Sequence, residues 1–105
     1  LDAPTRILQA TETLGYLKNK KIPVIFTGDL NAVPITKEIE ILNKRYTDSD
    51  PKHRFTFPVE VPTKKIDYIF ISQQYIKKVK GYTVFTDNKL SDHLPMLAAL
   101  ELRFK

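Results

Sequence analysis

The strand pattern over residues 66–72 restricts the fold of this chain more than any other feature. Its sequence, Ile-Asp-Tyr-Ile-Phe-Ile-Ser, places apolar side chains on both faces of a strand, so both faces are predicted to be buried. Asp67 interrupts the pattern. A buried carboxylate is costly unless it is paired and hydrogen-bonded. Lys64 and Lys65 adjoin it in sequence and are expected to point elsewhere, so we predict a histidine partner for Asp67.

The rest of the sequence divides into short helical and strand patterns that form one domain. We predict helices over residues 5–20 and 34–43, strands over 22–27, 66–72, 79–86 and 94–104, and a polar loop over 46–57. The unbroken apolar run in 22–27 is typical of a strand buried on both faces. The predicted order is αβαβββ, a mixed α/β (α+β) fold with sheet and helix in two layers.

The positive charge of the chain is concentrated in one third of its length. Lysine and arginine number 17 against 12 acidic residues, a net charge of +5, and residues 52–80 carry the whole excess. This stretch favours either a phosphate-bearing partner such as nucleic acid or a solvated surface that keeps the protein in solution. The basic residues in it are Lys52, Arg54, Lys64, Lys65, Lys77, Lys78 and Lys80.

Composition excludes several classes of protein. Hydrophobic residues make up 42% and charged residues 28%, which is typical of a folded chain and argues against disorder. Cysteine is absent, which excludes disulfides, thiolate metal sites and a cysteine nucleophile. No apolar run approaches the roughly 18 residues of a membrane span, and no P-loop or dinucleotide fingerprint occurs. These features leave the compartment open.

Two polar clusters stand at predicted strand ends. Asp29 and Asn31 follow the strand over 22–27, where ligands bind in open α/β folds, although both residue types are also common in turns. Asp92 and His93 precede the last strand, and an adjacent Asp and His suits a cation together with an anion, or simply a polar turn. His93 is the better candidate partner for Asp67.

The other histidine and most of the aromatic residues have structural interpretations. His53 lies between Lys52 and Arg54 and is predicted to be a solvated loop residue, with substrate contact as the alternative. Four aromatic residues are predicted to lie in the core rather than to stack on bases: Phe55, Phe57, Tyr68 and Phe70.

Three motifs, taken in order, resemble the endonuclease/exonuclease/phosphatase superfamily, which includes apurinic endonucleases, pancreatic-type DNases, sphingomyelinases, deadenylases and inositol polyphosphate phosphatases. They are Thr-Gly-Asp-Leu-Asn at 27–31, Lys-Ile-Asp-Tyr-Ile-Phe at 65–70 and Ser-Asp-His-Leu-Pro at 91–95. The start of the chain, Leu-Asp followed by Arg6 and Gln9, is similar to the end of a further family segment. The resemblance covers residues 1–105 but only the C-terminal half of the family's domain.

The resemblance implies half of a DNase-like four-layer αββα fold, that is, half of a two-layer β-sandwich flanked by helices. The family's metal-binding Glu, its accompanying Asn and its second catalytic His have no counterpart in this sequence. The chain also begins at Leu1 rather than Met. We therefore expect a fragment or truncated product that is inactive or weak alone. We also expect it either to need the N-terminal half of the domain or to self-associate through an exposed sheet.

The resemblance also implies an enzymatic activity in the intact parent protein, namely metal-dependent hydrolysis of phosphate esters. Asp29 would orient or deprotonate the attacking water, and Asn31 would hold a phosphate oxygen. Asp67 would pair with His93, which would donate to the phosphate. Asp92, with Asp29 and Asn31, would help to hold a divalent cation, Mg²⁺ or Mn²⁺.

The substrate remains open at this stage between a nucleic-acid phosphodiester and a phosphorylated small molecule or lipid. The strand motif lacks the Trp-x-Asp-Arg pattern of inositol polyphosphate phosphatases, which argues against that branch. The alternative function is that of a non-catalytic fragment or interaction module that retains the fold.

Overall fold

A computed structural model describes residues 2–18, 21–87 and 89–104 of the chain. The elements in chain order are α1 (Ala3–Leu17), β1 (Ile25–Asp29), α2 (Lys37–Leu42), β2 (Tyr46–Asp48), β3 (Asp67–Ser72), β4 (Ile76–Val84) and β5 (Met96–Leu102). The predicted mixed α+β class is confirmed, with antiparallel strands and two helices among the described residues. The observed order, αβαββββ, contains one strand more than predicted.

The strands form two antiparallel sheets. The first has the order β1-β3-β2, and the second consists of β4 and β5. In the first sheet Ile25 is opposite Ile71 and Asp29 is opposite Asp67. This register brings two carboxylates, distant in sequence, to the same end of the sheet.

Helices α1 and α2 cover one face of the three-stranded sheet. Phe26 and Phe70 are cross-strand partners with ring centroids 5.2 Å apart, and Tyr68 stacks on Phe70 at 5.3 Å. Tyr68 and Phe70 are fully buried, which confirms their predicted place in the core. The buried cluster comprises Ala10, Ala32, Ile39, Ile41, Leu42, Tyr46, Tyr68 and Phe70.

Local sequence explains how α1 begins and how it joins α2. Asp2 is the N-cap, and its Oδ1 accepts a hydrogen bond from the Thr5 amide at 2.9 Å. The helix thus begins two residues before the predicted position, and its predicted end at Lys20 lies outside the described residues. Arg6 then forms an ion pair of 2.7 Å with the buried Glu38 of α2, so the two helices are joined by charge as well as by apolar contacts.

The prediction that the first strand is buried on both faces is wrong. Strand β1 is an edge strand, and Ile25 keeps 50% of its surface exposed. The helices cover only the face that carries Phe26, so the side chains that alternate with it stay open to solvent.

The prediction of a polar loop over 46–57 is also wrong in part. The segment opens with β2, and Ser49, Asp50 and Thr56 are completely buried. The carboxylate of Asp50 accepts hydrogen bonds from the Lys52 and Arg54 amides and from the Arg54 guanidinium, the last at 2.6 Å. These bonds satisfy a buried charge and fold the polar segment inwards.

Lys65 is buried, whereas both interpretations of the basic stretch over 52–80 place its lysines at the surface. It is 2% exposed, and its Nζ lies 3.4 Å from Oδ1 of Asp48 and 4.7 Å above the ring of Tyr68. Tyr82 of β4 also lies close to this ammonium group, with its ring centre 5.4 Å away. Lys65 thus joins the second sheet to the end of β2.

The remaining predictions on individual residues have mixed outcomes. His53 is half-exposed, as expected of a solvated loop residue, and lies 3.6 Å from Asp48. Phe55 was expected in the core, but 53% of its surface is exposed. Phe57 is only partly buried. Among the residues that the structure describes, neither helix has the length and apolar character that crossing a membrane requires.

Candidate active site

The last residue of β1, Asp29, and the turn that follows with Asn31 lie at one end of the sheet. Gly28 has a φ of 150° and Asn31 a φ of 52°, values that glycine adopts freely and asparagine tolerates better than most residues. The Asn31 amide donates to Oδ1 of Asp29 at 2.8 Å, and the Leu30 amide donates to the Ile66 carbonyl at 2.9 Å. The turn is therefore fixed to the segment that leads into β3.

Asp67 and His93 form the contact that the cost of a buried carboxylate predicts. Nδ1 of His93 lies 2.8 Å from Oδ2 of Asp67, which is 8% exposed at the start of β3. The hydrogen bond to Asp67 raises the pKa of the His93 imidazole above its usual value. Partial burial of His93 opposes this shift, and the negative charges of Asp29 and Asp92 add to it.

The second ring nitrogen of His93 faces two more carboxylates. Nε2 lies 3.6 Å from Oδ2 of Asp29 and 4.0 Å from Oδ1 of Asp92. The side chains of Asp29 and Asp92 are 45% and 77% exposed, against 12% for Asp67. The imidazole therefore lies between two kinds of carboxylate. The buried carboxylate of Asp67 fixes its orientation, and the exposed carboxylates of Asp29 and Asp92 form an acidic edge of the site.

Phe57 packs against the imidazole of His93, a contact that the sequence pattern does not predict. Its ring centre lies 4.7 Å from that of His93. Two residues further on, the Val59 amide donates to the Asp92 carbonyl at 2.9 Å. Phe57 was predicted to be a core residue. The sequence pattern around it does not distinguish a ring that packs on a histidine from a ring in the core.

Two groups of side chains at the site contain potential ligands for a cation. Asp29, Asp67 and His93 form a group whose potential ligand atoms lie within 4.8 Å of one another. In that group the hydrogen bond to Asp67 occupies Nδ1, and the raised pKa of His93 opposes the loss of the proton from Nε2 that ligation through this atom requires. The exposed carboxylates of Asp29 and Asp92 are the oxygen donors that Mg²⁺ and Mn²⁺ prefer, so the donor set fits a hard divalent cation at the acidic edge.

Comparison with known proteins identifies solved structures with a similar fold. No protein-family model matches the sequence, and no curated protein does. Among solved structures, a functionally unknown conserved protein from Enterococcus faecalis V583 is similar over 98% of this chain and 46% of its own, at 25% identity and a TM-score of 0.81.

Two of the similar structures carry a family name. An endonuclease/exonuclease/phosphatase from Bacteroides vulgatus matches 98% of this chain and 46% of its own, at 25% identity and a TM-score of 0.79. An endonuclease/exonuclease/phosphatase family protein from Bacteroides thetaiotaomicron matches 100% and 46%, at 25% identity and a TM-score of 0.78. The resemblance to the endonuclease/exonuclease/phosphatase superfamily is thereby confirmed.

The match covers only part of each similar structure. The chain spans less than half the length of these relatives, consistent with the expected C-terminal half of the domain. At this extent, the likeness is to part of the fold of the two named endonuclease/exonuclease/phosphatase structures.

Proposed function

We propose that the protein containing this chain hydrolyses phosphate ester bonds with a divalent cation, and that this chain carries one half of the active site. The observation that carries the proposal is the placement of His93, with Asp67 at 2.8 Å on one ring nitrogen and Asp29 at 3.6 Å from the other. Attack on phosphorus depends on charge stabilisation and a positioned nucleophile. An oriented imidazolium beside exposed carboxylates has the chemistry to provide both.

The Asp67–His93 pair has the properties of a donor to an anionic oxygen. Asp67 holds Nδ1, so Nε2–H of the protonated ring is left to donate towards the solvent-facing side. The raised pKa of His93 keeps more of the ring protonated near neutral pH than in an unpaired histidine. In the proposed reaction His93 donates to a phosphate oxygen, and Asp67 preserves the orientation of the ring as negative charge develops on the substrate.

Asp29, Asn31 and Asp92 have the donor atoms for the cation and the attacking water. In this proposal they hold Mg²⁺ or Mn²⁺, and Asp29 also orients or deprotonates the water. When bound, the cation neutralises negative charge and lowers the pKa of water. Asn31 contributes an exposed side-chain amide that binds a phosphate oxygen. Its backbone amide donates to Oδ1 of Asp29, which holds the two residues close together.

A titration with Mn²⁺ tests the metal site without any substrate. Because Mn²⁺ is paramagnetic, NMR signals of residues at or close to the bound ion broaden selectively. We expect broadening at Asp29, Asn31, Asp92 and His93, and none at His53, which lies beside Asp48 and serves as the internal control. Uniform broadening, or none in a folded chain, contradicts the assignment of these residues to a metal site.

We further propose that residues 1–105 form the C-terminal portion of a larger domain and are inactive or weakly active alone. Support comes from the share of each relative that the chain spans, 46%, and from the lack of a counterpart to the family's metal-binding Glu. The N-terminal half of the domain is then the partner that completes the site. Efficient metal-dependent hydrolysis by the pure 105-residue chain contradicts this proposal.

The activity itself is tested in the full-length protein with both phosphodiester and phosphomonoester substrates. Asp29→Ala and His93→Ala are each expected to lower kcat by about a hundredfold or more while the fold is retained. His53→Ala is the matched control, since His53 is half-exposed and lies in a loop beside Asp48. Equal activity of the His93 and His53 variants contradicts the proposed role of His93.

The substrate is proposed to be either a nucleic acid or a phosphorylated small molecule or lipid. The structure weakens the argument for nucleic acid from charge, because Lys65 is buried and Arg54 is paired with Asp50. Lys77, Lys78 and Lys80 remain exposed on β4. Competition by single-stranded and duplex DNA or RNA in the hydrolysis assay separates the two substrate classes.

An interaction module without catalysis is the second candidate. Exposed apolar side chains favour it, among them Ile25 on β1 and Leu97 on β5, which are 50% and 57% exposed. A full-length protein that binds a partner through these side chains and hydrolyses no phosphate ester identifies this function instead. Hydrolysis that is lost in His93→Ala rules it out as the sole function.

A further inference from the structure

We propose that Thr56 is the positioning residue that sets Asp67 and His93 at their mutual distance. This inference rests on the proposed function of the pair, but its test does not use activity. Thr56 is completely buried, although it lies in the segment over 46–57 whose composition predicts a polar loop. Thr56 acts on the pair through hydrogen bonds from the backbone amides beside Asp67 and His93.

The hydroxyl of Thr56 holds the start of β3. Its Oγ1 accepts a hydrogen bond from the Ile66 amide at 3.2 Å and another from the Asp67 amide at 3.3 Å. A hydroxyl oxygen has two lone pairs, so one side chain satisfies both buried donors. The backbone of Asp67 is therefore fixed at the residue whose carboxylate meets His93.

The backbone of Thr56 holds the other member of the pair. Its carbonyl oxygen accepts from the Leu94 amide at 2.8 Å, directly after His93, while its own amide donates to the Lys64 carbonyl at 2.8 Å. One residue thus bonds on one side to the peptide that carries Asp67 and on the other to the peptide that follows His93. The relative position of the two side chains depends on this bridge.

The same hydrogen-bonded bridge extends to the segment that carries Asp29 and Asn31. Ile66 donates its amide to Thr56, and its carbonyl accepts from the Leu30 amide at 2.9 Å. Leu30 lies between Asp29 and Asn31, so three chain segments that carry proposed site residues are connected to one buried residue. Removal of the hydroxyl alone leaves two buried amides without their acceptor, and these amides lie at the site.

The test compares Thr56→Val, which removes the hydroxyl at nearly constant shape, with Thr56→Ser, which keeps it. The readout is the tautomer of neutral His93 in the 105-residue chain, measured through ring-nitrogen NMR shifts without metal at a pH where the ring is neutral. With Nδ1 held by Asp67, His93 is expected as the Nδ1–H tautomer, whereas unpaired imidazole favours Nε2–H. We expect Thr56→Val to shift His93 to mostly Nε2–H and Thr56→Ser to retain Nδ1–H.

Ser49→Ala is the matched control. Ser49 is also a completely buried hydroxyl residue, but its Oγ bonds to no group among the described residues and it lies in the loop after β2. Its loss is expected to leave the His93 tautomer unchanged, even if stability falls. A tautomer change as large in Ser49→Ala as in Thr56→Val indicates a general effect of buried substitutions and overturns the proposal.

Hydrogen exchange of the unmodified chain keeps the proposal testable if Thr56→Val does not fold. The Asp67 and Leu94 amides are expected to be protected as strongly as the Ile69 amide in the middle of β3. Fast exchange at either, or an unchanged Nδ1–H tautomer in a folded Thr56→Val chain, overturns the proposal. If the tautomer responds as expected and the full-length protein hydrolyses no phosphate ester, Thr56 positions the pair and the proposed function fails separately.

Discussion

Oδ2 of Asp67 lies 2.8 Å from Nδ1 of His93, although 26 residues separate the two in the chain. The contact joins the first residue of β3 to the loop before β5. It gives a buried carboxylate its partner and gives an imidazole a fixed direction. Both effects have measurable consequences for the protonation of His93.

Replacement of Asp67 by asparagine is expected to lower the pKa of His93 towards the value of an unpaired histidine. The hydrogen bond to Asp67 is the largest cause of the raised pKa, and the amide that replaces the carboxylate carries no charge. An NMR titration of the metal-free chain measures the shift, with His53 as an internal reference. Asp92→Asn is the comparison variant, and a smaller decrease is expected because Asp92 lies 4.0 Å from Nε2. Equal decreases in the two variants contradict this ranking.

The stabilising effect of His93 is expected to depend on pH. The groups that face its ring are Asp67, Asp29 and Asp92, and they raise its pKa in the folded state. The stabilisation is therefore fully present below the unfolded pKa of about 6.5 and is lost as the pH rises through the folded pKa. Urea unfolding of the wild-type chain and His93→Gln, without metal, measures the difference. A difference that grows with increasing pH contradicts the expected sign.

The ion pair between the two helices is expected to matter for stability. Glu38 is 6% exposed in its side chain and lies 2.7 Å from Arg6, so Glu38→Gln weakens a charged hydrogen bond in a partly buried place. We expect a loss of about 2 kcal/mol in the free energy of unfolding. The control is Glu40→Gln, which removes an exposed pair with Lys37 and is expected to cost less than about 0.5 kcal/mol. Similar losses in both variants argue against a special contribution of Glu38.

Truncation of the aromatic core is expected to be the most destabilising of these changes. Phe70 is fully buried between Phe26 and Tyr68, and Phe70→Ala removes both ring contacts and leaves a cavity. The expected loss is about 3–5 kcal/mol by thermal or urea unfolding. Phe104, which is 76% exposed, provides the control, and its change to Ala is expected to alter stability by less than about 0.5 kcal/mol.

The open face of β1 is expected to make the chain associate, either with itself or with the N-terminal half of the domain that we propose as its partner. Ile25 is 50% exposed on an edge strand, so Ile25→Lys is expected to weaken association in sedimentation velocity experiments at increasing protein concentration. Ile35→Lys, at a residue 92% exposed between β1 and α2, is the control and is expected to have no effect. A clean wild-type monomer with cooperative unfolding contradicts self-association.

Much of the candidate site could be predicted because the residue types that it requires are recognisable in short segments of sequence. A carboxylate buried in the apolar strand over 66–72 requires a partner in any tertiary arrangement. Of the two histidines, His93 was the better candidate for that partner. The turn at the end of β1 was predictable for a similar reason, since Gly28 and Asn31 adopt backbone angles that few residues tolerate. Amphipathic periodicity likewise indicated both helices, with small errors at their ends.

Other features depend on which surfaces meet, and the sequence does not carry that information. Lys65 is buried because Asp48 and Tyr68 pack around its ammonium group. Ile25 is exposed because the helices cover only one face of the edge strand β1. Sequence alone determined the residue types of the site and the need for a partner at Asp67. Tertiary structure alone decided the role of Thr56, because hydrogen bonds to Asp67 and Leu94 form only when three distant segments are brought together.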